Sequence, residues 1–166
     1  MPPLQKKICM LGSFAVGKTS LVRRYVESIY SDVYHTTVGV KVDRKLVRVE
    51  STELNLVIWD LYGEDEFQKM KWSFLHGSSG YLLVADGTRR ATLDKAFLLE
   101  QRAREEVGEI PFVFVVNKND LMKDWKFDAG LEAQFAAKRW IILGSSAKTG
   151  ENVEEAFTQL ARKMML

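Results

Sequence analysis

Three runs in the second half of the chain, Tyr81 to Ala85, Phe112 to Val116 and Trp140 to Leu143, are apolar at nearly every position. A half-buried strand alternates apolar and polar residues, so these runs predict strands covered on both faces, in the centre of a parallel sheet. Parallel neighbours need crossovers long enough to carry helices. The intervening segments supply them at helical spacing: Leu93, Ala96, Phe97, Ala103 and Val107, then a short stretch near Leu131 to Ala137, then Val153, Ala156, Phe157, Leu160, Ala161 and Met164. Upstream, the apolar run Ile8 to Leu11 meets Gly12, and Leu21, Val22 and Tyr25 open a helix after Gly17 and Lys18. Val38 to Val49 alternates in part, and after a polar turn at residues 50–53 the run Leu54 to Trp59 completes a hairpin. The expectation is one α/β domain over residues 1–166, with a six-stranded, mostly parallel sheet, one antiparallel edge strand and helices on both faces. Ligands of such sheets sit at the carboxyl ends of the strands.

Composition narrows what that ligand can be. Lys and Arg number 24 against 22 for Asp and Glu, a net charge of +2 in 166 residues. No basic stripe of the kind that holds nucleic acid follows from this balance, so an anion must be gripped locally. Cys9 is the one cysteine and is expected to be an inert core thiol; Lys69, Lys71, Arg89 and Arg90 are expected to form solvated surface. The start of the chain lacks the apolar run of a signal peptide, no apolar run approaches the roughly 18 residues of a membrane span, and no cysteine near the end could be prenylated. These features predict a cytoplasmic protein without a lipid anchor of its own.

Four separated motifs converge on one ligand. Gly12 to Thr19 reads G-x-x-x-x-G-K-T between a strand and a helix. That loop can wrap a phosphate chain with its amides, from Ala15, Val16, Gly17, Lys18, Thr19 and Ser20, while Lys18 neutralises phosphate and Thr19 offers a hydroxyl to magnesium. Asp60 and Gly63 follow the third strand, an acid for a magnesium-bound water and an amide for a terminal phosphate. Asn117-Lys118-Asn119-Asp120 follows the fifth strand. The Asp120 carboxylate can accept from N1 and N2 of guanine, a donor pair that adenine lacks. Asn117 can brace the loop and reach N7, and the Lys118 stem can lie on the ring. Ser146-Ala147-Lys148 after the sixth strand adds an amide for guanine O6 and a second lysine stem.

On these motifs the chain resembles a small GTPase of the Ras superfamily, closest to the Rab group, along essentially its whole length. Thr36-Thr37-Val38-Gly39-Val40 is similar to the family's switch I, and Leu56-Val57-Ile58-Trp59-Asp60 to the interswitch strand of Rab proteins. The resemblance implies a P-loop NTPase fold of the Ras-like G domain type, bound GTP or GDP with Mg2+, and a switch between nucleotide states. It implies that Thr37 binds magnesium and the terminal phosphate, that Tyr30 packs its edge on guanine, and that Tyr34 covers the phosphates. It further implies protein effectors at switch I, switch II and the interswitch through Val42, Trp59 and Phe74, residues that could alternatively complete a core. An exchange factor, a GTPase activator, a monomeric state and membrane recruitment through partners follow from the same likeness.

Two positions depart from the family. Leu61-Tyr62-Gly63-Glu64-Asp65 places Glu64 where the family has its catalytic glutamine. An ionised glutamate accepts from the attacking water but cannot donate toward the phosphoryl group, and it repels the polyphosphate. Slow GTP hydrolysis is expected, with Glu64, Lys18 and Thr37 as the catalytic set; a hydrolysis-deficient, GTP-loaded scaffold or binding module is the alternative. Phe14 stands where the phosphate loop usually has a small residue. Its ring would either obstruct an activator's arginine finger, a device worth about 10³ to 10⁵ in rate, or pack on the switch segments. A kinase of small acceptors ranks behind these readings, because no arginine-rich lid segment is present and Asn117 to Asp120 would have no task.

Overall fold

The computed structural model describes residues 3–27, 40–61 and 72–166. Strand β1 (Leu4–Gly12) leads through a tight loop into α1 (Lys18–Glu27); β2 (Val40–Val49) and β3 (Thr52–Leu61) follow. A short 3-10 turn (Trp72–Leu75) precedes β4 (Gly80–Asp86) and α2 (Arg90–Val107). The chain ends with β5 (Phe112–Asn117), a second 3-10 turn (Met122–Asp124), α3 (Ala129–Ala137), β6 (Ile142–Gly144) and α4 (Val153–Met164).

The strands form one sheet in the order β2-β3-β1-β4-β5-β6. Among the described strands only β2 runs antiparallel, pairing Val40 with Leu61 through Val49 with Thr52; the other neighbours are parallel. The period of two along each strand divides the core between two faces. Ile8, Met10, Leu82, Val84, Val113 and Val115 join Leu21, Val22, Tyr25, Phe157 and Leu160 of α1 and α4. Cys9, Leu11, Leu83, Ala85, Phe114 and Val116 meet Leu93, Ala96, Leu99, Leu131 and Phe135 of α2 and α3. The predicted fold class is therefore the observed one.

One expectation needs correction. The run from Trp140 does not form a central strand: β6 is the edge, only three residues long, and all three are half-buried. The run is apolar because both of its faces are covered even at the edge, Ile141 and Leu143 packing on the α1 and α4 side and Trp140 and Ile142 on the α2 and α3 side. Trp140 lies 5.1 Å from Phe135 and 5.2 Å from Phe112 between ring centroids, within the aromatic part of the core on the α2 and α3 face. Cys9 is fully buried as expected, with Sγ 3.1 Å from the Ser78 hydroxyl, and burial pushes its thiol pKa up.

Candidate functional site

The carboxyl ends of β1, β3, β4, β5 and β6 point the same way, and the sequence motifs lie on the loops that leave them. The loop after β1 turns through two left-handed residues, Ala15 at φ 63° and Gly17 at φ 101°. Gly17 is required twice over. Its φ suits glycine, and a Cβ there would come within 2.3 Å of the Asn117 side-chain nitrogen. That close approach lets Asn117 Nδ2 donate to the Val16 carbonyl at 3.0 Å, tying the loop after β5 to the loop after β1.

Lys18 is only 6% exposed, and its amine donates to the carbonyls of Gly12 and Ser13, both at 3.1 Å. Burial lowers its pKa to about 8, and the Asp60 carboxylate opposes that shift. The Thr19 hydroxyl donates to Asp60 Oδ2 at 2.5 Å, and Asp60 is 1% exposed. These two hard oxygen donors are the kind magnesium takes together with water and phosphate oxygens, so the residues present fit that ion. Ser20 lies in the first turn of α1, partly buried.

Asn117, 2% exposed, is the hub of the loops after β1, β5 and β6. Its Oδ1 accepts from Ser145 Oγ at 3.2 Å and from the Ala147 amide at 3.3 Å, joining the loop after β6 to that after β5. Ser146 Oγ donates to Asp120 Oδ1 at 2.8 Å, orienting a carboxylate that is otherwise exposed. Lys118 has a left-handed backbone (φ 70°); its amine reaches the Ala15 carbonyl at 3.3 Å and Asp86 Oδ2 at 2.9 Å. Lys148 is exposed beside them. Residues 12–19, Asp60, Asn117, Lys118, Asp120, Ser146, Ala147 and Lys148 thus share one end of the sheet. Tyr30, Tyr34, Thr37, Tyr62, Gly63, Glu64, Asp65, Lys69 and Lys71 lie outside the described residues.

Several supporting residues escaped the sequence reading. Asp86, at the end of β4 and 1% exposed, holds Lys118 through Oδ2 while Oδ1 accepts from the Thr88 amide at 2.9 Å and hydroxyl at 2.6 Å. An acid closing a buried apolar run was the available signal. Arg89, expected to be plain surface, is exposed, yet its Nη1 donates to the Phe14 carbonyl at 3.1 Å; Arg90 does pair at the surface, with Asp94 at 3.0 Å. Arg24 of α1 donates to the Thr149 carbonyl at 3.2 Å, which fixes the loop bearing Lys148. The Trp125 ring packs against Gly87, where a Cβ would come within 2.1 Å of a ring carbon.

Val42, Trp59 and Phe74 come together toward the β2 edge of the sheet. Val42 faces Trp59 in the strand register and is 39% exposed, and the Trp59 and Phe74 rings are 6.0 Å apart. Trp59 and Phe74 are half-buried against the core, and Lys7 Nζ sits 3.7 Å above the Trp59 ring. Among the described residues, no helix is long and apolar enough to cross a membrane.

Comparison with known proteins agrees with this geometry. A family model described as the Ras family matches residues 7–166. The Ras-related protein Rab-4A of Homo sapiens is 34% identical over 161 residues, which is 96% of this chain and 74% of the relative. Rab-4A of Danio rerio is also 34% identical over 161 residues, covering 96% of this chain and 76% of the relative. With residues 12–19, Asp60 and the loops bearing residues 117–120 and 146–148 gathered on one sheet end, these matches mean that the chain belongs to the Ras family of small GTPases, close to the Rab proteins, switches that bind GTP or GDP with Mg2+ and hydrolyse GTP.

Proposed function

We propose that residues 1–166 act as one GTP-operated switch domain whose hydrolysis is slow because Glu64 stands in the catalytic position. The observation that carries the site assignment is the bracing of three loops through one side chain, Asn117 to Val16 and to Ala147. In this reading the amides of Ala15 to Ser20 and the Lys18 amine bind the phosphates, and Gly63 adds an amide at the terminal one. Tyr30, Lys118 and Lys148 flank the base, Asp120 selects guanine, the Ala147 amide meets its O6, and Tyr34 covers the phosphates. Thr19, Thr37 and Asp60 hold magnesium, which when bound neutralises charge developing on the transferred phosphoryl group. Glu64 accepts a hydrogen bond from the attacking water and thereby orients it, but offers no donor to the phosphoryl oxygens.

Loss of the terminal phosphate frees Thr37 and Gly63, so the surface they organise changes with the nucleotide. Val42, Trp59 and Phe74 adjoin that surface, and their partial exposure supports a role in meeting effectors. The protein works as a monomer in the cytoplasm, served by an exchange factor and an activator, and reaches membranes through partners. Phe14 at the phosphate loop disfavours an activator that inserts an arginine finger.

Single-turnover hydrolysis tests the central claim. Protein loaded with magnesium GTP and freed of excess nucleotide is followed beside Glu64→Gln. Slow conversion by the wild type and a faster variant are expected. Equal rates would refute the account of Glu64, and intact GTP in the wild type would establish the scaffold reading.

A further inference from the structure

The nucleotide loops use one end of the sheet. At the other end, where β4, β5 and β6 begin, a cavity of about 400 Å³ opens between the end of α2, the 108–111 connection and the turn after α3. Its lining is mixed and on balance polar, with three rings in it: Tyr81 stacks on Phe112 at 5.0 Å, and Trp140 meets Phe112 edge-on at 5.2 Å. Its rim carries Arg104, Lys138, Arg139 and Lys163 against Glu100 and Glu109. Four cations less two carboxylates leave two positive charges in excess.

Part of that charge is already engaged. Arg104 pairs with Glu100 at 3.3 Å, and the Lys138 amine rests 5.3 Å from the centre of the Phe97 ring. The side chains of Arg139 and Lys163 make no hydrogen bond or ion pair with the described residues. Tyr81 is the more telling group. It is 2% exposed and lines the cavity, yet its hydroxyl has no hydrogen-bond partner among the described residues. Burial, reinforced by Glu100, raises its pKa far above the usual phenol value despite Arg104, so the hydroxyl stays a neutral donor. The hydroxyl is not among the fully buried polar atoms that lack a partner in the described residues, so it reaches the cavity, where its O–H is open to an acceptor.

We propose that this cavity is a second ligand site, which takes a phosphate monoester carried on a small flat body. The phosphate, with about 1.5 to 2 negative charges at neutral pH, matches the excess on the rim. It accepts from the Tyr81 hydroxyl and lies within the field of Arg139 and Lys163, while the flat body rests on the Phe112 and Trp140 rings. The volume falls within the range of small-molecule sites, about 300 to 1,000 Å³, and exceeds what inorganic phosphate alone would fill. Either a free metabolite or a phosphorylated lipid headgroup has this chemistry.

The test uses protein saturated with magnesium GDP, so that the nucleotide site is closed to the probe. Phenyl phosphate and inorganic phosphate are titrated by calorimetry, and phosphatidylcholine vesicles with and without a phosphatidylinositol monophosphate are tested by flotation. Saturable phenyl phosphate binding is expected, tighter than that of inorganic phosphate. Tyr81→Phe keeps the ring and removes only the hydroxyl, and should weaken binding about tenfold or more; the surface double change Arg139→Gln with Lys163→Gln should do likewise. GDP release should be unchanged in both. Flotation that needs the phosphorylated lipid and is lost in Tyr81→Phe identifies a headgroup as the source. Phenyl phosphate binding without flotation identifies a free small molecule. Failure of both probes, or undiminished binding by Tyr81→Phe, overturns the proposal.

Discussion

The pair Asp86 and Lys118 makes a prediction whose sign is counterintuitive. At 2.9 Å the gross attraction between the two charges is about 6 kcal/mol at an effective dielectric near 20. Much of this is offset, because Asp86 is 1% exposed and its carboxylate has lost its water, while the Lys118 side chain keeps 35% of its surface in solvent. The two partners are therefore unequal. Lys118→Met strands a buried carboxylate that retains only the Thr88 amide and hydroxyl, and should cost about 3 kcal/mol. Asp86→Asn leaves an oxygen to accept from Thr88 and a lysine that can turn to water, and should cost about 1 kcal/mol. The double variant should then be more stable than Lys118→Met alone, by about 2 kcal/mol, since no charge is left buried. Urea unfolding of the three variants, each without nucleotide, reads this directly and avoids differences in ligand affinity. Release of a fluorescent GDP analogue from Asp86→Asn should also speed up about tenfold, as Lys118 loses its anchor beside Ala15. A double variant no more stable than Lys118→Met would refute the reasoning that the unpaired, buried Asp86 side chain is what destabilises Lys118→Met.

Other expectations follow from the same geometry. Phe135→Ala removes the ring that stacks on Phe97 at 4.0 Å and meets Phe114 at 4.6 Å, and should cost about 3 to 5 kcal/mol in urea unfolding. Gly87→Val drives a side chain into the Trp125 ring, so Trp125 must leave its seat; a red-shifted, more quenchable tryptophan emission with a loss of about 2 kcal/mol is expected. For Lys18, burial lowers the folded pKa to about 8 against 10.5 in the unfolded chain. Between these values the unfolded state binds more protons, so the nucleotide-free protein should gain stability as pH rises from about 8 toward 10, and Lys18→Met should lack that gain.

Which residues the sequence could reveal was decided by whether their chemistry is local. The phosphate loop is legible because glycine, lysine and threonine act through backbone and side chains within eight consecutive positions, 12–19. The sheet is legible because a strand buried on both faces must be apolar throughout. The same rule misplaced Trp140 to Leu143, since an edge strand packed on both faces is as apolar as a central one. Periodicity records burial and is silent about what does the burying.

The bracing residues escaped for a different reason. Arg24 holds a carbonyl 125 positions away, and Asp86 reaches Lys118 only because β4 and β5 pair in parallel, bringing their carboxyl ends together. Nothing in a tract such as Asp86-Gly87-Thr88-Arg89 separates it from an ordinary turn until that register is known. Yet these contacts decide how well the recognisable motifs work. In the proposed function Asp120 selects the base, which requires its carboxylate to be aimed, and Ser146 aims it; Ser146 and Ala147 keep their places because Asn117, Ser145 and Arg24 hold their loop. Discrimination between guanine and other bases should accordingly be sensitive to residues that never touch the nucleotide, Ser145 and Arg24 foremost.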